Sequence, residues 1–575
     1  MELTLDEARR NDEVISLASS QVLRWIDELN DVHNADDRVR EIRRRIRAIR
    51  KEPVSAANRR EIRRLYAELD EIQFKPDYMC LIVDRVSDYR RACKGFSING
   101  IRYRRLLGTP GGLKVSTVVF VSERLYSELY RRIENGRDHD KKFVPAKLEA
   151  YRALTCSASI PVSFPKGILV INDLDTSFID NVTLLSSSPN GEPVVSDPTQ
   201  QEVSITASDG CGMILPSLAE RWSDELRLDY IIGGCCSRCA WEKGMLYTFP
   251  FDEFASEIAG SYIVKDAWGN DIDIREVEMV LPVSMLKLWD SYSSIDDYLE
   301  KTVANGYTFG ITKVCKRELE EERTTNYQYL QSFELTDEDI DELIAPTIQE
   351  IHDVLGGDWR KSVLFLQGSG LNEKNVRYLS NDFAKALMIE PELINDPYVR
   401  STVFRRIQNR INEAKIGVIT VHGNYSMACG DLYAMCQHIF GLEVTGLLRS
   451  NEVWNGFWAE TDAEQLLCFR APMSCHENIR RVTPARRDDV RRWFRYMQTC
   501  TVFSCWSNEM AALNGMDFDG DLVMLTDNEV LLRRHKVLPT LVCEQKSATK
   551  AIPTEEMVVE SNIATFGNEV GKITN

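Results

Sequence analysis

The chain has 575 residues, and 43% of them are hydrophobic, which is enough material for several domains with buried cores. Its 70 basic and 88 acidic residues give a net charge of −18, which argues against a protein that coats nucleic acid through its overall charge. The polar N-terminus, the 15 irregularly spaced cysteines and the lack of a long apolar run predict a cytoplasmic protein with reduced thiols and no membrane partner.

The first 77 residues are predicted to be helical. Apolar residues recur at helical spacing before Pro53, at Val39, Ile42, Ile46 and Ile49. The opposite face of this helix is basic and carries Arg38, Arg40, Arg43, Arg44, Arg45, Arg47, Arg50 and Lys51. Two interpretations stay open for this face: a solvated helical hairpin whose arginines pair with nearby acids, and a contact with nucleic acid.

Residues 78–160 mix short strand and helix patterns, with a strand predicted at 116–121. The glycine-rich stretch 108–114 lacks the spacing of a phosphate-binding P-loop, so it predicts a plain turn. Strand patterns dominate 161–300, notably at 167–172 and 277–282, and the stretch 184–200, rich in Ser, Pro and Asn, predicts a loop.

Residues 301–412 are predicted to form a helical, acidic insert, with helical periodicity at 335–356. Strand patterns return at 413–545, and 546–575 begins a further helical region that we expect to continue beyond the last residue. Two β-rich units in one chain predict a pair of packed barrels.

Three aspartates alternate in the stretch NGMDFDGDLVML: Asp517, Asp519 and Asp521. Carboxylates this close repel one another unless a cation neutralises them. Oxygen ligands favour Mg²⁺, with Mn²⁺ as a substitute, over zinc. A calcium EF-hand is excluded because its required Gly and Glu positions hold Leu522 and Asn528. Mg²⁺ usually takes substrate phosphates as further ligands, so phosphoryl or nucleotidyl transfer is the expected chemistry.

Residues 516–525, MDFDGDLVML, resemble the metal-binding loop of the two-barrel RNA polymerases. This superfamily includes transcription enzymes, cellular RNA-dependent RNA polymerases and single-chain phage or prophage polymerases. Other stretches are similar in the same order: 209–219 resembles the signature of the first barrel, and Arg238 with Lys243-Gly244 resembles its R-x₄-K-G element. Residues 283–288, VSMLKL, resemble a third element but have Pro282 where the family has Arg.

The resemblance implies an α+β fold with two double-psi β-barrels that form a catalytic cleft, a helical N-terminal region and a helical insert between the barrels. It implies that Asp517, Asp519 and Asp521 hold the catalytic Mg²⁺ and that Lys243 and Lys287 act on the triphosphate. Arg238 and Arg470 are candidates for binding nucleotide phosphate or the RNA end, and an ion pair within the fold is the alternative for each. Cys235, Cys236 and Cys239 lack a nearby fourth ligand, so we expect buried thiols there rather than zinc.

The expected partners are ribonucleoside triphosphates and a template. The wording of the loop is closer to that of the transcription and phage enzymes, which favours a DNA template over an RNA template. Two alternatives stay open: an inactive nucleic-acid-binding relative, and a sugar-nucleotide transferase with an Asp-x-Asp metal site. The negative charge predicts acids on the outer surface, as at 337–341 and 320–322, and a positive cleft between the barrels.

Overall fold

The computed structural model describes residues 20–30, 35–50, 55–73, 77–367, 379, 381–544 and 548–567. Lys51, Pro53 and the residues after Gly567, which entered the predictions above, lie outside this set. No helix in the described part of the chain is both long enough and apolar enough to cross a membrane.

The N-terminal region is helical, with α1 (Gln21–Asn30), α2 (Ala35–Ile49) and α3 (Ala56–Gln73). Helices α2 and α3 form an antiparallel hairpin, whose core contains Ile42, Ile46, Ile49, Leu65 and Leu69. The helix predicted from the apolar spacing is therefore confirmed as α2.

A four-stranded antiparallel sheet follows, in the strand order β1-β4-β3-β2. Its elements are β1 (Tyr78–Ile82), α4 (Val86–Cys93), β2 (Phe96–Ile98), β3 (Ile101–Leu107), α5 (Pro110–Lys114) and β4 (Thr117–Ser122), followed by α6 (Glu123–Glu134) and α7 (Pro145–Arg152). The predicted strand at 116–121 is confirmed, one residue later. The plain turn predicted at 108–114 is wrong in part, because Thr109 accepts a hydrogen bond from the Gly112 amide and caps the short helix α5.

The first β-rich unit is a seven-stranded sheet in the order β5-β16-β11-β12-β10-β15-β6, and it stays open as a half-barrel. Its elements and insertions are β5 (Ile160–Val162), β6 (Ile168–Ile171), β7 (Asp175–Ser187), β8 (Pro193–Val195), β9 (Thr199–Thr206), β10 (Cys211–Ile214), α8 (Pro216–Glu225), β11 (Gly234–Cys239), β12 (Glu242–Thr248), α9 (Phe251–Phe254), β13 (Ile263–Lys265), β14 (Asp271–Asp273), β15 (Met279–Pro282), α10 (Ile295–Ala304) and β16 (Phe309–Val314). The loop predicted at 184–200 is wrong in part: the end of β7 pairs with β8 there and β9 begins at Thr199, whereas 188–192 and 196–198 lie outside strands.

The segment between the two β units is mainly helical, with β17 (Glu322–Thr324), α11 (Asp337–Leu355), α12 (Trp359–Gln367), α13 (Asp382–Ile389) and α14 (Pro397–Lys415). The helix predicted at 335–356 is confirmed as α11. The expectation that the acids at 337–341 lie on the outer surface is wrong for Asp339. That side chain is buried and forms ion pairs with Arg533 at 2.8 Å and Arg534 at 2.6 Å.

The second β-rich unit is a closed barrel. Six strands follow the order β18-β22-β19-β21-β20-β23, and β23 pairs back with β18. Its elements are β18 (Thr420–Cys429), α15 (Leu432–Ile439), β19 (Glu452–Trp454), α16 (Gly456–Ala459), β20 (Leu466–Phe469), β21 (Ile479–Pro484), α17 (Asp488–Trp493), β22 (Cys500–Phe503), α18 (Glu509–Ala512), β23 (Leu522–Thr526) and α19 (Glu529–Arg534), followed by β24 (Thr540–Cys543) and α20 (Glu555–Thr565).

The half-barrel and the closed barrel share one hydrophobic core, which contains residues of both. The Tyr247 hydroxyl of β12 donates to the Ala428 carbonyl of β18 at 2.6 Å, and the Cys211 and Cys429 sulfurs lie 3.6 Å apart. Because β23 pairs with β18, this contact brings the loop before β23 against the half-barrel. Cys235, Cys236 and Cys239 are buried free thiols in β11, as predicted.

Candidate active site between the two β units

The three aspartates lie in the loop that joins α18 to β23. Met516 and Phe518 alternate with them and are buried, each 2% exposed, so the aspartates between them are only half-buried. Because the side chains of Met516 and Phe518 are buried in the core, the alternating side chains of Asp517, Asp519 and Asp521 point away from it.

Backbone hydrogen bonds fold this loop tightly. The Asp517 amide donates to Asp521 Oδ2 at 3.0 Å, and the Asp519 amide is 3.3 Å from Asp517 Oδ1. The loop also bonds to the half-barrel, since the Phe518 amide donates to the Asp209 carbonyl at 2.9 Å. The aspartate loop is thus held by both β units.

Gly210 makes the closest approach of the half-barrel to the aspartates. Its φ is +75°, and a Cβ built on it lies 2.6 Å from the Asp519 Cβ and 3.0 Å from the Asp519 amide nitrogen. Only glycine accommodates both this backbone conformation and this contact. The Asp209-Gly210 pair therefore sets the distance between the two units at the site.

Two cationic side chains offset part of the negative charge of the loop. Lys243 of β12 forms an ion pair with Asp519. Arg470 binds Asp521 Oδ2 at 2.8 Å and also donates to the carbonyls of Leu513 at 3.1 Å and Asn514 at 3.0 Å. The structure therefore brings both predicted side chains into contact with the aspartates, and Arg470 ties the carboxylate to the preceding backbone.

Lys287 lies beside this cluster without touching an aspartate of the loop. Its ammonium donates to the Ser284 carbonyl and lies 5.7 Å from the centre of the Tyr151 ring. Burial lowers the pKa of Lys287, and the nearby Asp209 opposes that change. Lys287 is thus a partly desolvated cation at the edge of the site.

Arg238, a candidate for binding nucleotide phosphate or the RNA end, lies outside the aspartate cluster. It lies opposite Lys243 in the β11–β12 hairpin, yet its Nη1 donates to the Ser237 carbonyl at 2.6 Å and the Cys236 sulfur at 3.1 Å. Its side chain lines a small cavity with Gln21 and others, including Ser159, Tyr307 and Thr308. The structure places Arg238 next to the lysine strand but not in contact with the aspartates.

The aspartate loop carries uncompensated negative charge. Burial and repulsion by Asp519 and Asp521 raise the pKa of Asp517 to about 6. Three carboxylates suit the oxygen preference of Mg²⁺. Lys243 and Arg470 occupy two of them, and in the described part of the chain no group of three or more His, Cys, Asp and Glu is arranged to hold a metal ion. The carboxylate oxygens of the loop are of the ligand type that Mg²⁺ prefers, and Asp519 is paired with Lys243 in this arrangement.

Sequence reasoning missed the polar network below the site. Asp173 accepts hydrogen bonds from the hydroxyls of Ser208 at 2.7 Å and Ser284 at 2.6 Å, and Ser284 Oγ accepts one from the Gly210 amide at 3.1 Å. Asp173 lies in the loop that follows the buried strand β6, after Asn172, and functional residues often lie in such loops. This position was the signal that the sequence offered. Through Gly210, this network holds the half-barrel against the aspartate loop.

Three comparisons relate the chain to known proteins. A family model described as RNA dependent RNA polymerase matches residues 42–575. The DNA-directed RNA polymerase YonO of Bacillus phage SPbeta is 27% identical over 500 residues, which are 84% of this chain and 56% of YonO. The structure of the RNA dependent RNA polymerase QDE-1 from Thielavia terrestris matches with a TM-score of 0.52 and 15% identity, over 88% of this chain and 56% of that one.

The chain therefore spans little more than half the length of both relatives. At 15% identity, the likeness to QDE-1 concerns the fold alone. It agrees with the α+β architecture of one closed barrel and one half-barrel seen here, so the fold predicted from the sequence is confirmed.

Proposed function

The chain belongs to the RNA dependent RNA polymerase family, and on that premise we propose that it is a template-directed RNA polymerase. It would join ribonucleoside triphosphates and release pyrophosphate. The observation that carries the proposal is the convergence of two separate β units on one loop: Lys243 of the half-barrel pairs with Asp519 of the closed barrel. A fixed ammonium beside clustered carboxylates suits a reaction in which phosphate charge develops.

Asp517, Asp519 and Asp521 would hold Mg²⁺, with Mn²⁺ as a substitute. Bound there, the ion would lower the pKa of the RNA 3′-hydroxyl and neutralise charge on the α-phosphate. Lys243 is 30% exposed at its side chain, so it can leave Asp519 and reach the oxygens of an incoming triphosphate. Arg470 would keep Asp521 oriented throughout, because its other bonds go to the backbone.

Lys287 would supply a second positive charge on the half-barrel side of the triphosphate. Its partial burial strengthens its field, since fewer waters screen the ammonium. Arg238 would act one step further out, by orienting the β11–β12 hairpin or by binding nucleotide phosphate or the RNA end. In these roles Lys243 and Lys287 would act from the half-barrel side of the site, opposite the carboxylates, and Arg470 from the side of the carboxylates.

We propose DNA as the template. YonO, which is named as a DNA-directed enzyme, matches 84% of this chain at 27% identity, a closer sequence likeness than that of QDE-1. RNA is the second candidate, because the matching family model is described as RNA dependent. The family match over 42–575 favours a polymerase over a sugar-nucleotide transferase.

A primer-extension assay tests the proposal. The full chain receives Mg²⁺, four ribonucleotides and a primed single strand of either DNA or RNA, with Asp519→Ala in parallel. RNA of template length that is lost in Asp519→Ala supports the polymerase, and the strand that is copied identifies the template. Nucleic-acid binding without extension on either strand would favour an inactive relative instead.

A further inference from the structure

The α2–α3 hairpin distributes its charges unevenly between its two sides. Its described acids lie along one edge, where Glu68 accepts from Arg38 at 2.9 Å and Glu61 accepts from Arg45 at 3.0 Å. Glu41 also pairs with Arg38, at 2.8 Å. This edge matches the first of the two sequence interpretations, in which arginines pair with nearby acids.

The other side of the hairpin carries arginines that these acids do not neutralise. Helical spacing places three arginines of α2 along one stripe, next to two from α3. We call this set the basic face: Arg43, Arg47, Arg50, Arg59 and Arg63. All five are exposed, and none forms an ion pair with another residue that the structure describes. Arg50 donates to the Tyr66 hydroxyl at 2.8 Å, which shows that both helices contribute to one surface.

We propose that the basic face binds the phosphate backbone of duplex DNA next to the strand that is being copied. The proposal rests on the template-directed activity proposed above. Five like charges on one surface repel one another, and a polyanion is the partner that relieves this repulsion. One guanidinium group can donate two parallel hydrogen bonds to the oxygens of a phosphate, so arginine is better suited than lysine to this contact.

The chemistry of the face favours a duplex over a single strand. Single-strand binding needs aromatic rings on which bases stack. Among the described residues of the hairpin, Tyr66 is the single aromatic residue. The Arg50 guanidinium carbon already lies 5.9 Å from the centre of its ring. The basic-face arginines in and just after α2 extend from Arg43 to Arg50, a distance of about 10 Å along the helix that matches about three base-pair steps of a duplex.

The hairpin offers a matched control. Arg44, Arg60 and Arg64 lie on its outer side, are exposed, and likewise form no ion pair with a described residue. Two triple variants therefore remove the same charge from the same two helices: Arg43→Gln/Arg47→Gln/Arg63→Gln on the basic face, and Arg44→Gln/Arg60→Gln/Arg64→Gln on the outer side.

The test measures binding of a fluorescent DNA duplex of about 20 base pairs to the full chain as salt increases. The basic-face variant should bind about tenfold more weakly at about 0.1 M salt, and its slope of log K against log salt should fall by about 2 to 3, because each lost phosphate contact removes about 0.9. The outer-side variant should stay within about twofold of wild type. Equal losses in both variants, or an unchanged slope in the basic-face variant, would overturn the proposal.

Further arms separate this inference from the polymerase itself. Thermal melting of both variants should match wild type, because neither substitution touches the hairpin core. Extension of a saturating primed single strand should be retained by the basic-face variant. Normal extension with unchanged duplex binding would refute the inference and leave the polymerase standing. If the basic-face variant lost binding of duplex RNA or of a single strand but kept binding of duplex DNA, duplex DNA would not be the partner of this face.

Discussion

Replacing Gly210 by alanine should disable the site without removing any charged group. The new Cβ would lie 2.6 Å from the Asp519 Cβ, where ordinary contacts begin at 3.4 Å. The aspartate loop must therefore move by about 1 Å, and a displacement of that size can lower a catalytic rate about 100-fold. Alanine at a φ of +75° adds backbone strain of about 1 to 2 kcal/mol.

Gly260→Ala is the control for strain alone. Gly260 also has a positive φ, +61°, but a Cβ there meets nothing within 4 Å. Initial rates of ribonucleotide incorporation and melting temperatures are compared for wild type and both variants. Both variants should lose stability through backbone strain, Gly210→Ala the more because of its added clash, and only Gly210→Ala should lose activity. If Gly210→Ala retains activity within about twofold of Gly260→Ala, the contact between Gly210 and Asp519 does not set the geometry of the site.

Three other perturbations follow from the contacts of the site. Lys243→Met should lower the incorporation rate about 100-fold or more. It should also tighten Mn²⁺ binding in the absence of nucleotide, because Asp519 loses its counter-ion. Weaker Mn²⁺ binding would show that the lysine does not compete with metal. Arg470→Lys should lower both the melting temperature and the incorporation rate, since lysine lacks the geometry to hold Asp521 and two carbonyls at once. A wild-type melting temperature and a wild-type rate would contradict this role. With a chelator present, the contribution of Asp517 to stability should fall as the pH rises from 3.8 to about 6, because the fold raises its pKa and disfavours its charged form. The melting temperature of Asp517→Asn should therefore rise relative to wild type over that range, and a constant difference between the two would count against the repulsion.

The aspartate loop could be located from the sequence because its signal is local. Alternating carboxylates between buried apolar residues specify both the ligand type and the direction in which the side chains point, and Asp517 to Asp521 behave accordingly. The pairing of Lys243 with Asp519 joins residues 276 positions apart, so no spacing rule could supply it. Only the resemblance to a family pointed to that lysine.

Other features depended on tertiary contacts that a single sequence does not encode. Asp339 reads as part of an acidic surface run, but Arg533 and Arg534 of a distant helix bury it. The serine-rich stretch at 184–200 has the composition of a loop, but about half of it pairs with neighbouring strands as parts of β7, β8 and β9. Arg238 was located by its motif, but the motif could not show that its Nη1 donates to the Ser237 carbonyl and the Cys236 sulfur.

A single-turnover experiment addresses the reaction at the aspartate loop most directly. Enzyme in excess over a primed DNA strand receives one complementary ribonucleotide and Mg²⁺, and the extended primer is followed over time. Asp519→Asn keeps the shape of the side chain and removes its charge, and Asp175→Asn on the exposed β7 serves as the matched control. We predict that Asp519→Asn loses at least about 1,000-fold in rate and that the control is unchanged. Incorporation at the wild-type rate by Asp519→Asn would show that the chemistry takes place elsewhere.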